Sequence, residues 1–337
     1  MTAAVLVNRS YAAQRVTGQQ RYAVEITSRL DAGSFTPVTP PGFWASSVLR
    51  TWAWVQLALP WRSPGSVLLS LTARAPLWRR RHVLVVHDLF VLTNPEWYSR
   101  RYVWTHAPLL RAQLRGAAAV IAVSEPVARQ VAPYVRGPVV VAPNAPSEVF
   151  VRGGADRSVL ERRGLVAGSY LLTVGSRDPR KNLRRLAEAY GRLSTQERRR
   201  HPLVVVGGES AIFAGERIEW PEGTILAGYV PDEELCALYG GARTVVFLSY
   251  AEGFGLPLVE AAAAGARGLL LSDIPVFRWV CGDAAHYVDP HRTDSVLDGL
   301  RAALAAPRRP RVELDRFTWD ASARAVRDAC LEVASRA

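Results

Sequence analysis

The 337 residues suffice to bury a large core in one or two domains, and 49% hydrophobic with 21% charged residues is globular usage, which excludes a disordered or low-complexity chain. No apolar run approaches the roughly 18 residues of a membrane span, and the start, MTAAVLVNRSYAAQR, lacks the basic region of a secretion signal. Cys236, Cys281 and Cys330 form no CxxC pair, which argues against a disulfide framework or thiolate zinc site and fits a reducing cytoplasm. The net charge of +12 lies wholly in the first half: residues 1–165 hold 20 arginines and 8 acids, and the remainder holds 22 of each sign. Such polarity suits an anionic partner: a membrane surface, a phosphorylated lipid or nucleic acid. A single lysine, Lys181, against 41 arginines makes an arginine-rich composition an equally good explanation.

Along the chain, the apolar run AAVLVN predicts a strand, followed by Gly18 and a helix over RYAVEITSRL with apolar residues at 22, 23, 26 and 30. A Trp-rich segment (residues 47–60) precedes two buried-strand candidates, SVLLSL and HVLVVHD. A helix over 97–115 leads to the strand AAAVIAVSE, and Ser124 with Pro126 is a good helix start. The strand VVVAPNAP closes this set. The polar, Gly-rich stretch from Arg152 to Gly168 marks a domain junction, giving domains 1–160 and 161–337, the last helix being free to pack back on the first domain. The second set alternates SYLLTVG, a helix over 183–193, PLVVVGG, GTILAGYV, a helix over 233–239, TVVFLSY, a helix over 257–264 and GLLLSD. Short apolar strands between helices predict an α/β fold of two doubly wound parallel sheets, Rossmann-like, facing across a cleft.

The common phosphate motifs are missing. There is no G-x-x-x-x-G-K-[ST] and no G-x-G-x-x-G, since Gly253-Phe-Gly255 is followed by Leu258 where the third glycine belongs. No Asp-x-Asp pair exists to chelate a metal diphosphate, so cations and amides must hold any diphosphate that binds. Two segments offer them. In GSRDPRKNLRRL, a strand end delivers Arg177, Arg180 and Lys181 before a helix, where cations oppose the macrodipole unless an anion is near. In SYAEGFGLPLVEAAAAG, a glycine loop leads into a helix with Pro257 at its start, whose amides are free to receive phosphate. Glu260, in the first helical turn, matches the dipole, whereas Glu252 beside two glycines has no structural reason to be there.

The segment EGFGLPLVE (Glu252 to Glu260) resembles the E-x7-E signature of retaining glycosyltransferases of the GT-B fold, family 4 in particular. Other segments resemble that family in order: TGQQRY, VHDLFVLTNPEWY, PNAPSEVF, DPRKNL, GYVPDEEL, SDIPVFRWVCGDAAHYVDP and RFTWDASA, spanning nearly the whole chain. The resemblance implies a retaining, metal-independent hexosyltransferase, using a nucleotide-diphosphate sugar such as one of mannose, in polysaccharide, glycolipid or glycoconjugate biosynthesis. Glu252 would meet donor-sugar hydroxyls, the amides of Gly253, Phe254, Gly255 and Leu256 would approach the diphosphate and sugar, and Glu260 would bind the ribose. Lys181 and Arg180 would neutralise the leaving diphosphate, with Arg177 as the competing arginine. Tyr229 and Val230 would lie against the base, Gly18 would let backbone approach the cleft, and His87 would reach the transferred sugar or acceptor. Ser176 stands where many relatives carry a cation, Ala145 replaces the glycine of a PNG turn, and Trp279 stands where Glu is common.

No metal or other cofactor is expected. The partners implied are the donor and a hydroxyl acceptor, lipid-linked or otherwise anionic at the inner membrane face; no nucleic-acid module is visible. Phe43, Trp44, Trp52, Trp54 and Trp61, interleaved with Arg50 and Arg62, fit either an interfacial helix on an anionic membrane or ordinary core packing, the favoured reading. An epimerase on the same fold, which would need further acid and base groups, or a catalytically silent nucleotide-sugar binder are the alternatives.

Overall fold

A computed structural model describes residues 5–12, 18–153, 158–176, 178–208 and 218–336. Its contacts divide the chain into two compact units, the first made of residues 1–144 and 317–337, the second of 145–316.

Unit 1 is built on a wholly parallel sheet of β1 (Val5–Asn8), β2 (Phe35–Val38), β3 (Val67–Ser70), β4 (His82–Val86), β5 (Ala119–Ala122) and β6 (Val139–Val141), in the order β2-β1-β3-β4-β5-β6. The central strands are buried along their length, as their uninterrupted apolar runs require of a sheet covered on both faces. On one side Leu84, Val86, Leu114, Val120, Val127 and Val131 form a core cluster; on another Leu6 and Leu68 pack with Trp54, Val55 and Leu59. Ser124 caps its helix by accepting from the Val127 amide, as its position predicts. The helix Trp319–Ser335 contacts the helix Gly18–Thr27 and β6, and Ser322 Oγ donates to the Pro143 carbonyl at 2.7 Å.

Unit 2 repeats the plan with β7 (Leu171–Val174), β8 (Leu203–Val206), β9 (Thr224–Gly228), β10 (Thr244–Phe247), β11 (Leu269–Ser272) and β12 (His286–Val288), in the parallel order β12-β11-β10-β7-β8-β9. Leu171, Tyr190, Leu203, Val246, Leu270 and Leu300 share one buried cluster. Residues 145–160 fall in unit 2, sixteen residues ahead of the expected boundary, because the helices Glu148–Arg152 and Ser158–Arg162 pack against Asp232–Gly241. Among the described residues no helix is long and apolar enough to cross a membrane.

Candidate active site

The strand order of unit 2 dictates where its functional groups gather. The chain runs outward from β7 through β8 to β9, then returns to the other side of β7 as β10 and continues to β12. The reversal lies between β7 and β10, and the loops that leave their carboxyl ends diverge there, opening the crevice in which open α/β sheets bind ligands. Those two loops carry Lys181 and Glu252.

After β7, Asp178 caps a single 3-10 turn, Pro179–Lys181, accepting from the Arg180 amide at 2.9 Å and from the Arg180 guanidinium at 2.8 and 2.5 Å. The turn ends at Asn182, held in the left-handed region (φ 56°) with its amide donating to the Pro290 carbonyl at 2.8 Å. This conformation folds Lys181 back so that its stem lies over Gly175, where a Cβ would stand 3.5 Å from the lysine Cγ. Its Nζ reaches Glu252 Oε1 at 2.6 Å, and Ser249 Oγ donates to the same oxygen at 2.7 Å. Both members of the pair are more than 70% removed from solvent. Glu252 thus has a structural partner that the sequence reading did not supply. Arg180 pairs with Asp178 and Lys181 with Glu252; Arg177 lies outside the described residues.

The loop after β10 brings Gly253, Phe254 and Gly255 to the start of the helix Leu256–Ala263. Gly255 adopts φ 88°, a left-handed backbone in which a Cβ would also press on the Phe277 ring at 3.1 Å. Phe254 is buried and meets Trp279 edge-on at 6.1 Å, which anchors the loop. Pro257 occupies the first helical turn, where its missing amide costs nothing. Glu260 lies just past the first turn, one residue further into the helix than expected: it is the fifth residue of this helix and 95% buried, so dipole matching does not account for it.

Three glycines clear the floor beside this pair. A Cβ on Gly207, at the end of β8, would fall 1.9 Å from the Gly175 carbonyl oxygen, and the Gly207 amide donates to the carbonyl of Gly228 at 2.8 Å. At Gly207 the neighbouring backbone comes so close that any side chain would collide with it. Tyr229 follows with its ring mostly in solvent, and Val230 is buried. The row Gly175, Gly207, Gly228 was absent from the sequence reading; a glycine closing each of three successive strands is the signal that marks it.

In unit 1, His87 follows β4. Its Nε2 donates to the Leu71 carbonyl at 3.0 Å and its ring meets Tyr22 edge-on at 5.2 Å. Loss of water drives the imidazole down to about 4, so it is neutral at pH 7. A carbonyl can only accept, which fixes the Nε2–H tautomer and leaves Nδ1 as an acceptor for a hydroxyl. Gly18 is exposed at the first residue of its helix, and a Cβ there would meet nothing within 4 Å among the described residues. Among the described residues, no three His, Cys, Asp or Glu side chains are grouped as metal ligands.

Residues 166–316 match the family model for glycosyl transferases group 1, just under half of the chain and nearly all of unit 2. The chain is 29% identical over 268 residues to O-antigen chain mannosyltransferase B of Escherichia coli, covering 71% of this chain and 67% of that protein. It is 28% identical over 257 residues to the serotype-specific mannosyltransferase WbdA of Escherichia coli, of whose length the match spans only 31%. Among solved structures, that of WaaG, a glycosyltransferase involved in lipopolysaccharide biosynthesis, superposes with a TM-score of 0.69 at 17% identity, covering 98% of each chain.

Proposed function

We infer that this chain, a glycosyltransferase of the GT-B fold, is a retaining, metal-independent hexosyltransferase of polysaccharide or glycolipid assembly. The donor is a nucleoside diphosphate sugar of mannose or a near relative, mannose being the sugar for which the two Escherichia coli relatives are named. The observation that carries the reading is the Lys181–Glu252 pair, 2.6 Å apart at the reversal point of the unit 2 sheet and beside the N-terminus of the helix Leu256–Ala263, the positive end of its dipole.

The chemistry follows from what these groups can do. As the bond between the anomeric carbon and the diphosphate oxygen breaks, negative charge grows on the diphosphate, and a preorganised ammonium with helix-terminal amides lowers that barrier without a metal. Lys181 leaves Glu252 for the diphosphate when the donor enters, which frees the carboxylate to accept from sugar hydroxyls. Arg180 stays oriented by Asp178 at the edge of the same site. Glu260 holds the ribose, the Tyr229–Val230 backbone flanks the base, and the small floor of Gly175, Gly207 and Gly228 admits the phosphates. An acceptor hydroxyl then attacks the face that the diphosphate leaves. The new carbon–oxygen bond forms there, and the hydroxyl proton passes to the departing phosphate oxygen, giving the nucleoside diphosphate and a product of unchanged anomeric configuration. His87, neutral, accepts a hydrogen bond from the acceptor or the transferred sugar through Nδ1.

The test is transfer from GDP-, UDP-, dTDP- and ADP-hexoses to hydrophobic glycoside acceptors in EDTA, with the product anomer read by NMR. An α-linked product from an α-donor at full rate in EDTA is expected. An inverted product, or activity restored only by a divalent cation, overturns the mechanism.

A further inference from the structure

We propose that unit 1 docks on an anionic lipid surface through the helix Val48–Leu57 and the two loops that flank it. Core packing accounts for only part of the Trp-rich segment: Trp54 is buried against Leu6 and Leu68, as are Val55 and Leu59. The opposite face of the same helix, where a surface helix normally carries charge, presents Val48, Leu49, Trp52 and Leu57 to solvent, the last 66% exposed. Phe43 stands before it, Trp61 after it and Trp78 beside it, the two tryptophans being 73% and 76% exposed. Trp52, Leu57, Trp61, Leu77 and Trp78 line one open apolar groove of about 460 Å³.

This exposure is built rather than incidental. Gln56, buried, donates to the Ala75 carbonyl and accepts from the Leu77 amide, tying the loop of Trp78 to the helix. Arg79, also buried, donates to the carbonyls of Pro60, Arg62, Ser63 and Ser66, fastening the loop of Trp61 to the same place. Two buried polar side chains therefore hold large aromatic side chains out in water, an arrangement that costs hydrophobic stability unless something apolar covers it.

Charge selects the occupant. Between Asp31 and Asp88 the chain holds no acidic residue, yet it holds Arg50, Arg62, Arg74, Arg79, Arg80 and Arg81. Arg50, Arg62 and Arg80 are exposed within the aromatic segments, and the Arg50 guanidinium lies 4.4 Å over the Phe43 ring. Tryptophan and leucine interleaved with arginine, along a stretch of chain without a carboxylate, is the composition of an interfacial helix that inserts into the headgroup region of a negatively charged leaflet. A protein partner or a second copy would need acidic groups facing these arginines, and the segments that carry the exposed aromatics offer none of their own for a symmetric pairing.

The experiment is co-sedimentation of the full chain with phosphatidylcholine vesicles and with vesicles containing 30% phosphatidylglycerol, each at 0.1 and 0.5 M NaCl. Binding to the anionic vesicles, weakened by salt, is expected. Trp61→Ser and Trp78→Ser should each weaken it at least about tenfold, and Arg50→Gln and Arg62→Gln each about fivefold, with nucleotide-induced stabilisation of unit 2 unchanged. Quenching of wild-type tryptophan fluorescence by brominated lipid supplies a readout that needs no variant. Absence of vesicle binding, equal binding to both vesicle types, or binding indifferent to both tryptophan changes overturns the proposal. A concentration-dependent dimer that Trp61→Ser dissolves, in a chain that ignores vesicles, assigns the face to a second copy instead.

Discussion

Lowering the pH from 7 to 5 should destabilise the chain through two histidines of unit 1. His82 is buried in β4 with Nε2 at 3.0 Å from Ser70 Oγ, and burial, with the Arg79 charge adding to it, pushes its imidazole down to about 3. His87, five residues on, is driven to about 4 by burial, which its bond to Leu71 only partly offsets. In the unfolded chain both titrate near the ordinary value of 6.5. Below 6.5 the unfolded state binds protons that the folded rings refuse, so stability rises with pH in this range and falls as pH drops. At pH 5 an unfolded imidazole is favoured about thirtyfold by protonation, about 2 kcal/mol for each histidine, and the loss levels off only below the folded values. The result at pH 5 rests on the unfolded value, because both folded values lie well beneath it. Carboxylates contribute little until the pH approaches 4. Urea unfolding at pH 7, 6 and 5 on wild type and His87→Gln checks this, glutamine being able to keep a donor toward Leu71. The variant should lose about 2 kcal/mol less than wild type across the interval. Equal losses, or a charged His87 ring by NMR at pH 6, would refute the argument and with it the neutral acceptor assigned to Nδ1.

Gly207→Ala sets a Cβ 1.9 Å from the Gly175 carbonyl in a backbone at φ 136°, and should cost at least about 3 kcal/mol in thermal or urea unfolding. Replacing Glu252 by Gln removes the charge that balances Lys181 but keeps the shape. Turnover should fall about 10²–10³-fold while calorimetry shows nucleoside diphosphate affinity retained. Asn182→Ala loses the bond to Pro290 and places a non-glycine, non-asparagine residue at φ 56°. A stability loss of about 1–2 kcal/mol should accompany a rise in KM for the donor, because the turn that aims Lys181 relaxes.

Much of this arrangement can be read before any coordinates are seen. The strands LLTV and TVVF are continuous apolar runs because both sheet faces are covered, and Ser124 and Pro257 announce their helices. EGFGLPLVE and DPRKNL mark the two loops that meet at the reversal of the unit 2 sheet. What escaped was set by long-range packing. β2, FTPV, contains Pro37 and has two exposed central residues, so it shows none of the buried run that betrays its neighbours. The junction moved because the short helices at 148–162 are held by Asp232–Gly241, a contact some 80 residues away. Partners of functional groups were equally invisible: Ser249 for Glu252, Asp178 for Arg180 and Pro290 for Asn182 follow from loop conformations, not from spacing. The helix Val48–Leu57 defeated a simple choice between core and membrane because it is apolar on both faces. Trp54 and Trp52, two residues apart, point to opposite fates.

The most direct measurement is thermal stabilisation by UDP, GDP, dTDP and ADP, with and without EDTA, on wild type and Lys181→Ala. A diphosphate at about 100 times its dissociation constant stabilises the folded state by roughly 2.7 kcal/mol, a readily visible shift. The account predicts that one base stands out, that EDTA changes nothing and that the shift collapses in Lys181→Ala. No response to any nucleotide, or a response that needs a divalent cation and ignores the loss of Lys181, would contradict it.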